Sequence, residues 1–436
     1  MTKSDNRLRA TRLCLAVTMC IGLNACSADD TTNQQSVQGG VPAYSICIPA
    51  TFSDGLSQTR AVTYNSETGA LDATFTINDI IFVTIISEGN NQTATTILKP
   101  DKGGSSTNLV PYTGSTVLFH DSTEPGLSEN PTPITLTGNE ILFLEYHSSA
   151  INEFFDYTGL YTDPISVTQD GTLAGLNLFD YATATVQVTG ITGNETDGYA
   201  LTTTEASLNN QQSMFKFTFT GLPSDVGVKK VIIHSDKGKL VTAYSPTLVA
   251  LGTSVSIPVS PVAYGDITID RGTAASASNS TIYAALRFDP LDNETAIDNI
   301  TFTITGTDDK TYTATKTSPA GGFQNGKYYS STIALPTYRV YTAQDVYTDV
   351  PIPSDATTVT NDVPTSWVAG TYVVSGDVTI SHNVSLSGDV KLILMDGASL
   401  SIDGYIRGNN NTNYSLDIYG QAAGTGKLSI DNNSSI

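Results

Sequence analysis

The stretch Tyr44-Ser45-Ile46-Cys47-Ile48-Pro49-Ala50-Thr51-Phe52 decides how the rest of the chain is organised. Apolar and polar side chains alternate along it, which is typical of a strand and places Tyr44, Ile46 and Ile48 on one face. Pro49 has no N–H and favours an edge strand or a strand end. We therefore predict a removable or exchangeable edge strand, which runs on toward the tripeptide Thr59-Arg60-Ala61.

The sequence after this stretch consists of short strands separated by turns. The run Ile80-Ile81-Phe82-Val83-Thr84-Ile85-Ile86 is apolar almost throughout, as in a strand that is covered on both faces. Turn clusters such as Glu88-Gly89-Asn90-Asn91 recur at intervals of roughly ten residues, the spacing expected of a β-sandwich. No segment shows sustained helical periodicity, so the sequence predicts an all-β chain.

Changes of pattern divide the chain into several parts. The long strand Leu176–Val188 falls in the second of two β-sandwiches, and a Pro-containing connector separates that sandwich from repeated short strands. The predicted parts are a signal peptide at 1–25, a polar tether at 26–40, an N-terminal β-sandwich at 41–170, a C-terminal β-sandwich at 171–337, a linker at 338–366 and a short β-solenoid at 367–436.

The first residues carry an export signal. Basic residues precede the apolar run Leu13–Leu23, which is too short to span a bilayer. Its ending, Leu23-Asn24-Ala25-Cys26, resembles a bacterial lipobox, which implies cleavage and acylation at Cys26; an ordinary signal peptide is the alternative. The following Ser27-Ala28-Asp29-Asp30 is similar to the surface-export signal of Bacteroidales lipoproteins, with a solvated linker as the alternative. We therefore expect a lipid anchor in the outer membrane.

Charge and cysteine content restrict the partners and the chemistry. The formal net charge of −21 disfavours nucleic acid and anionic membranes as partners. Cys14 and Cys20 lie in the signal peptide and Cys26 is the predicted lipid site, so Cys47 would remain alone. We predict that it packs as a small apolar residue and that the protein has no disulfide framework.

Short strands recur between Trp367 and the C-terminus. Ser375-Gly376-Asp377-Val378 is repeated as Ser387-Gly388-Asp389-Val390, with glycine and aspartate at the corners. This pattern predicts a short, right-handed parallel β-helix-like segment. Such solenoids need about three coils plus caps. The small number of coils and the lack of an evident cap indicate either a truncated solenoid or an end that a partner covers.

Three features together resemble one family. They are a first strand followed by Phe52 and Thr59-Arg60-Ala61, a mid-chain strand like Leu176–Val188, and Gly326-Lys327-Tyr328-Tyr329 before the strand Ser330–Leu335. They are similar to features of the fimbrillin family, the pilins and pilus-associated lipoproteins of Bacteroidales, over about residues 41–337. The resemblance implies two tandem transthyretin-like Greek-key β-sandwich domains.

The resemblance also implies a mode of assembly. In the family, a trypsin-like protease cuts after an Arg behind the first strand, and an extended segment of the next subunit fills the groove by β-augmentation. Carried over, Arg60 would be the cut site and Ala61 the new N-terminus; an uncut loop is the alternative. The implied partners are other pilus subunits and a host or bacterial surface ligand. The solenoid favours a tip or accessory subunit over a shaft subunit.

No catalytic centre is evident. The histidines are far apart and lack zinc-ligand spacing. His234-Ser235-Asp236 holds the residue types of a hydrolase triad, but consecutive residues cannot converge as nucleophile, base and orienting group. Asp396 and Asp403, each before a glycine, are interpreted as turn formers rather than calcium ligands. We therefore expect no enzymatic activity and no metal or other cofactor.

The main alternative is a glycan-binding surface lipoprotein that does not polymerise. Carbohydrate-binding platforms usually expose aromatic rings, and the candidates for sugar contact are Trp367, Tyr372 and Tyr405 of the solenoid. The other interpretation of these rings is that they pack between coils.

Overall fold

The computed structural model describes residues 42–431 of the chain, except 53–62, 65–70, 73–74, 87–92, 122–134, 148–162, 165–167, 180, 247–248, 252–253, 257–258, 277–279, 344–345 and 410–412. The regular structure of the described residues is β-strand, apart from short 3-10 helices at Gly175–Phe179 and Gly272–Ala274. The prediction of an all-β chain is therefore confirmed. No helix in the described ranges is long and apolar enough to cross a membrane.

The first large sheet closes on itself. The strands up to residue 210 are β1 (Tyr44–Ile46), β2 (Ile48–Phe52), β3 (Thr63–Tyr64), β4 (Leu71–Asp72), β5 (Ile80–Ile86), β6 (Thr93–Pro100), β7 (Ser106–Pro111), β8 (His120–Asp121), β9 (Ile141–His147), β10 (Asp163–Pro164), β11 (Thr168–Gln169), β12 (Tyr181–Asn194), β13 (Gly198–Thr203) and β14 (Ala206–Asn210). The sheet has the order β1-β13-β12-β14-β2-β7-β6-β5-β9, with β8 beside β6. Because β12 also pairs with β9, the strands from β12 to β9 form a ring.

Strand β5 shows how this sheet builds its core. Ile81, Val83 and Ile85 are at most 1% exposed and lie in the core of the first unit. Phe82 and Thr84, on the other face, are half-buried. The run is therefore less completely covered than its apolar composition predicted.

The second unit is a β-sandwich. Its further strands are β15 (Ser213–Thr220), β16 (Val228–Ser235), β17 (Val241–Pro246), β18 (Val249–Leu251), β19 (Ser254–Ser256), β20 (Val259–Tyr264), β21 (Ile267–Asp270), β22 (Thr281–Leu286), β23 (Asn299–Gly306), β24 (Thr311–Thr317) and β25 (Tyr328–Ala334). Its sheets have the orders β11-β21-β16-β23-β24, β22-β15-β25 and β10-β17-β20, beside the hairpin β18-β19. Phe217 of β15 packs against Phe302 of β23 with ring centroids 4.9 Å apart, which joins two of these sheets.

The sheets do not divide at residue 170, where the sequence pattern placed the boundary. Strands β12 to β14 pair within the first sheet, and Val186 and Leu208 share its core with Ile48. Conversely, β10 and β11 pair with β17 and β21 of the second unit. Alternation along a strand shows which face is buried, but it does not show with which strands it pairs.

The last part of the chain is built from an antiparallel hairpin and a set of parallel strands. Its strands are β26 (Thr337–Ala343), β27 (Val346–Pro351), β28 (Thr357–Thr358), β29 (Ser366–Trp367), β30 (Gly370–Val374), β31 (Asp377–Ile380), β32 (Val384–Leu386), β33 (Val390–Leu394), β34 (Ser399–Asp403), β35 (Ile406–Gly408), β36 (Leu416–Gly420) and β37 (Lys427–Asp431). Three parallel sheets form in the orders β28-β30-β33-β36, β29-β32-β35 and β31-β34-β37. The chain visits these sheets in turn, and we call residues 357–431 the solenoid.

The predicted linker at 338–366 differs from expectation, because it contains the antiparallel hairpin β26-β27 and the first solenoid strands. Tyr338 and Val340 pack with Val373 and Ile393, which project from the outer face of a solenoid sheet. The hairpin thus covers that face. Its other side carries polar and aromatic residues such as Arg339, Tyr341 and Asp349, so the apolar pattern alone did not reveal it.

Candidate functional site

Strand β2 lies inside the first sheet. On one side, Ile48 pairs with Leu109 of antiparallel β7. On the other side, Ala50 pairs with Ala206 of parallel β14. The prediction of an edge strand was therefore wrong for β2. Pro49 removes one N–H from the hydrogen-bond ladder, but the remaining backbone groups still pair β2 along both of its sides.

Strand β1 stands at one end of the sheet order, with an isolated bridge on its other side. Tyr44–Ile46 runs parallel to Tyr199–Leu201 of β13. Across its other side, the backbones of Tyr44 and Val117 exchange two hydrogen bonds of 2.9 and 2.7 Å. The Ser45 hydroxyl adds a hydrogen bond of 3.2 Å to the carbonyl oxygen of Tyr199. The first described strands thus complete a sheet whose other strands come from later in the chain.

The side chains of these strands alternate as the sequence predicted. Tyr44, Ile46, Ile48 and Ala50 are 1%, 4%, 0% and 1% exposed and lie in the core of the first unit. Pro49, between them, is exposed. Full burial of each isoleucine contributes about 1.5–3 kcal/mol relative to its exposure. Strands β1 and β2 therefore each contribute buried side chains to the core of the first unit.

Tyr44 anchors the beginning of this element. Its hydroxyl oxygen accepts a hydrogen bond from the backbone N–H of Leu136 at 2.8 Å. Its ring lies 5.8 Å from that of Phe119 and 5.6 Å from that of Tyr199, measured between centroids. Burial is the largest cause of a raised pKa at the Tyr44 hydroxyl. A neutral phenol in this position satisfies a buried amide while filling apolar space.

The segment that holds Tyr44 is itself fixed by Glu140. The Glu140 carboxylate accepts hydrogen bonds from the hydroxyl of Thr137 and the N–H of Gly138, both at 2.8 Å. Burial opposes the charge of Glu140, but the hydrogen bonds outweigh burial and lower its pKa below the usual 4.5. An ionised Glu140 therefore shapes the turn whose first residues meet Tyr44.

The predicted processing and lipidation sites, Arg60, Ala61 and Cys26, lie outside the described residues. Cys47 is half-buried and disulfide-bonded, so the prediction of a lone apolar thiol was wrong for this chain. All other cysteines precede the described residues.

The solenoid aromatics are mostly enclosed. Trp367 is 0% and Tyr372 5% exposed, and their rings stack with centroids 4.6 Å apart and planes at 10°. Tyr405 is half-buried, and the guanidinium carbon of Arg407 lies 5.0 Å from its ring centroid. The proposal of sugar contact is therefore wrong for Trp367 and Tyr372, whose rings pack inside the solenoid. Tyr405 alone among the three keeps part of its surface accessible.

A different aromatic pair is exposed. Tyr341 and Tyr347 lie opposite each other in the hairpin β26-β27, at 58% and 57% exposure, with ring centroids 5.5 Å apart. Arg339 lies over the Tyr347 ring at 5.8 Å and pairs with Asp349 at 3.5 Å. Sequence reasoning missed this pair. The available signal was the tyrosine on each arm, in a stretch that was interpreted as a linker.

The residues considered for catalysis do not converge. The His234 ring nitrogen Nδ1 lies 2.6 Å from Asp266, whereas the Ser235 hydroxyl donates to Asp298 at 2.5 Å. Asp396 accepts hydrogen bonds from the N–H groups of Ala423 and Thr425, so its carboxylate binds a later segment of the chain rather than its own turn. Within the described ranges, no group of three or more His, Cys, Asp or Glu side chains could hold a metal ion.

No known family profile and no curated protein matches the chain. Several solved structures align with it. A candidate cell adhesion protein from Bacteroides fragilis is 13% identical, with a TM-score of 0.35 over 72% of this chain and 98% of the other. The tip fimbrial protein Mfa3 from Porphyromonas gingivalis, with C-terminal truncation, is 10% identical, with a TM-score of 0.32 over 71% and 100%.

The fimbrial anchor protein Mfa2 from the same organism is 10% identical, with a TM-score of 0.28 over 71% of this chain and 95% of the other. At these identities and TM-scores, the alignments assign no function. The structural neighbours are cell-adhesion and fimbrial proteins of Bacteroidales, the group of proteins that the sequence motifs resemble.

Proposed function

We propose that this chain is a fimbrillin-like surface lipoprotein, a structural or tip subunit of fimbriae that is assembled by strand exchange and contributes to adhesion. The observation that carries the proposal is that β2 lies inside, and β1 at one end of, a sheet whose other strands come later in the chain. An N-terminal strand in that position can leave without interrupting the chain that forms the rest of the unit. In this proposal, the two large units are the tandem transthyretin-like domains of that family.

Withdrawal of β1 and β2 would open an apolar groove. Leu109, Val117, Leu201 and Leu208 share the core with these strands and would lose their cover. The backbone groups of β7, β13 and β14 that now pair with β1 and β2 would also lose their partners. An extended segment with apolar side chains at alternate positions would restore both kinds of contact. That is β-augmentation by the next subunit.

The segment after β2 holds the proposed cut. Arg60 follows Phe52 within residues 53–62, which lie outside the described ranges. Cleavage after Arg60 would separate β1 and β2 from the rest, together with Cys26, its lipid and Cys47. A cut subunit would therefore depend on its neighbours in the fimbrium for attachment. An uncut copy would stay in the outer membrane by its lipid.

Replacing Arg60 with lysine tests the processing step. Arg60→Lys keeps the positive charge but removes the residue that an Arg-specific protease requires. In cells with such a protease, we expect the wild-type surface protein to begin at Ala61 and to enter fimbriae. We expect the variant to begin at Cys26 and to remain membrane-bound. A wild-type surface form that still begins at Cys26 would contradict processing at Arg60.

A second candidate function is glycan binding by a subunit that does not polymerise. The exposed pair Tyr341 and Tyr347, with Arg339 beside it, favours this alternative because aromatic faces and a charged donor suit a sugar ring. A glycan array should then show selective binding by the wild type and loss of binding by Tyr341→Ala/Tyr347→Ala. Equal signals from both proteins would exclude this surface as the binding site.

A further inference from the structure

Two tyrosines face each other on the exposed side of the hairpin β26-β27. Tyr341 and Tyr347 are directly opposite in the antiparallel register, so their side chains project from the same face and are neighbours. Their ring centroids lie 5.5 Å apart, with the ring planes at 67°. The side chains are 58% and 57% exposed. Each ring is therefore within reach of the other and of a reagent in solution.

The hairpin holds this pair in place. On the side away from the turn, the Arg339 Nε lies 3.5 Å from the Asp349 carboxylate, and the guanidinium carbon lies 5.8 Å from the Tyr347 ring centroid. On the turn side, the Thr342 hydroxyl donates a hydrogen bond of 3.2 Å to the carbonyl oxygen of Val346. The other face of the hairpin packs against the solenoid. The two backbones are therefore fixed, whereas the exposed rings can turn about their side-chain bonds.

Two phenols held this closely can be joined by oxidation. A one-electron oxidant removes an electron and a proton from each hydroxyl, which gives two phenoxyl radicals. The radicals combine in a carbon–carbon bond between the ring carbons beside the hydroxyl groups. Each joined carbon then loses its hydrogen as a proton while its phenoxyl oxygen gains one, so both hydroxyl groups and both aromatic rings are restored. In total the pair loses two electrons and two protons, and one molecule of hydrogen peroxide takes them up to become two molecules of water.

We propose that Tyr341 and Tyr347 form a site of oxidative cross-linking, at which a haem peroxidase that uses hydrogen peroxide joins the two rings as dityrosine within one chain. The cross-link closes the loop between β26 and β27. An isolated two-stranded hairpin is marginally stable in water, and a covalent bond across it limits the conformations of the open hairpin. Cross-linking therefore stabilises the hairpin over the outer face of the solenoid. This site is independent of processing at Arg60, of strand exchange and of glycan binding.

A second tyrosine pair in the same part of the chain gives an internal comparison. The rings of Tyr338 and Tyr419 have centroids 5.1 Å apart and planes at 60°. Tyr338 is only 6% exposed, however, because it packs with Val373 and Ile393 between the hairpin and the solenoid. An oxidant has little access to this ring, and the ring has little room to turn. The two pairs have similar distances, so exposure distinguishes the pair that should react from the pair that should not.

Oxidation of the full chain with hydrogen peroxide and a haem peroxidase tests the proposal. Asp345 lies between the two tyrosines in the sequence, so an Asp-specific protease places them on separate peptides. In the wild type, these peptides should remain joined with the loss of two hydrogen atoms, and the product should show dityrosine fluorescence. Tyr341→Phe and Tyr347→Phe each keep an aromatic ring but lack the hydroxyl that forms the radical, so both should lose this linkage. Tyr419→Phe is the matched control and should keep it.

Dilution shows whether the linkage forms within one chain. The yield of the joined peptides should not depend on protein concentration, because both rings belong to the same hairpin. Absence of the joined peptides from the oxidised wild type, or an unchanged linkage in either phenylalanine variant, would overturn the proposal. A link from Tyr341 or Tyr347 to a second chain in place of this linkage would overturn it as well. So would an equal yield of a linkage between Tyr338 and Tyr419, because exposure would then not select the site.

Discussion

The hydroxyl oxygen of Tyr44 accepts a hydrogen bond from the backbone N–H of Leu136, 2.8 Å away inside the core. Tyr44 is 1% and Leu136 6% exposed, so solvent has little access to either group. The bond ties the first described strand to the segment that precedes β9. A donor segment that replaces β1 would have to satisfy the Leu136 amide or leave it unpaired.

Tyr44→Phe should therefore destabilise the uncut protein. The substitution keeps the ring but leaves the buried Leu136 N–H without its acceptor, at a cost of about 1–3 kcal/mol in the free energy of unfolding. Urea unfolding of the intact chain measures this change. Tyr347→Phe removes a hydroxyl from a side chain that is 57% exposed and should stay within about 0.5 kcal/mol of the wild type. Equal stability of both variants would contradict the buried hydrogen bond.

Ile48 tests the packing of β2. Its side chain is 0% exposed, and Ile48→Ala should lower the free energy of unfolding by about 2–5 kcal/mol because it leaves a cavity in the core. Ser45→Ala, in the adjoining strand β1, is the control, since that side chain is exposed and makes one hydrogen bond to Tyr199. A loss at position 48 no larger than the loss at position 45 would show that β2 does not occupy the interior of the sheet.

Glu140 predicts a dependence of stability on pH. Its pKa in the folded protein lies below the usual 4.5, so its ionised form stabilises the fold above that pH. This contribution should disappear as the pH falls below 4.5 toward the folded-state pKa. Glu140→Gln should reduce stability at pH 7 and flatten this part of the pH profile. Urea unfolding at a series of pH values measures this. As the pH falls from 7 to 3, the ratio of the variant's free energy of unfolding to that of the wild type should rise toward one.

The sequence predicted where strands occur better than it predicted which strands pair with each other. The alternation at Tyr44, Ile46 and Ile48 correctly identified the buried face, because a period of two residues is local information. The position of β2 between β7 and β14 depends on segments far away in the chain, so Pro49 suggested an edge that the sheet does not have there. For the same reason, Leu176–Val188 was recognised in part as a strand but assigned to the wrong sheet.

The aromatic residues of the C-terminal part also show that local sequence patterns do not reveal contacts between distant segments. Trp367 and Tyr372 are residue types that sugar-binding surfaces use, but both are buried in the core of the solenoid. That burial depends on segments far away in the chain. Tyr341 and Tyr347 become neighbours only because β26 and β27 pair as a hairpin. The sequence therefore does not show which aromatic side chains are exposed, and the structure is needed to identify a candidate sugar-binding surface.

Trp367 supplies a direct optical test of the solenoid. It is the only tryptophan of the chain, and it is 0% exposed. Its fluorescence should therefore show blue-shifted emission and little quenching by acrylamide in the native protein. During urea unfolding, the emission should shift to the red when the solenoid opens, whatever happens to the two large units. Addition of glycans should leave the spectrum unchanged, because the indole is covered by Tyr372 and the neighbouring coils. Strong quenching by acrylamide, or by a bound glycan, would contradict the buried position of Trp367 and restore it as a candidate for sugar contact.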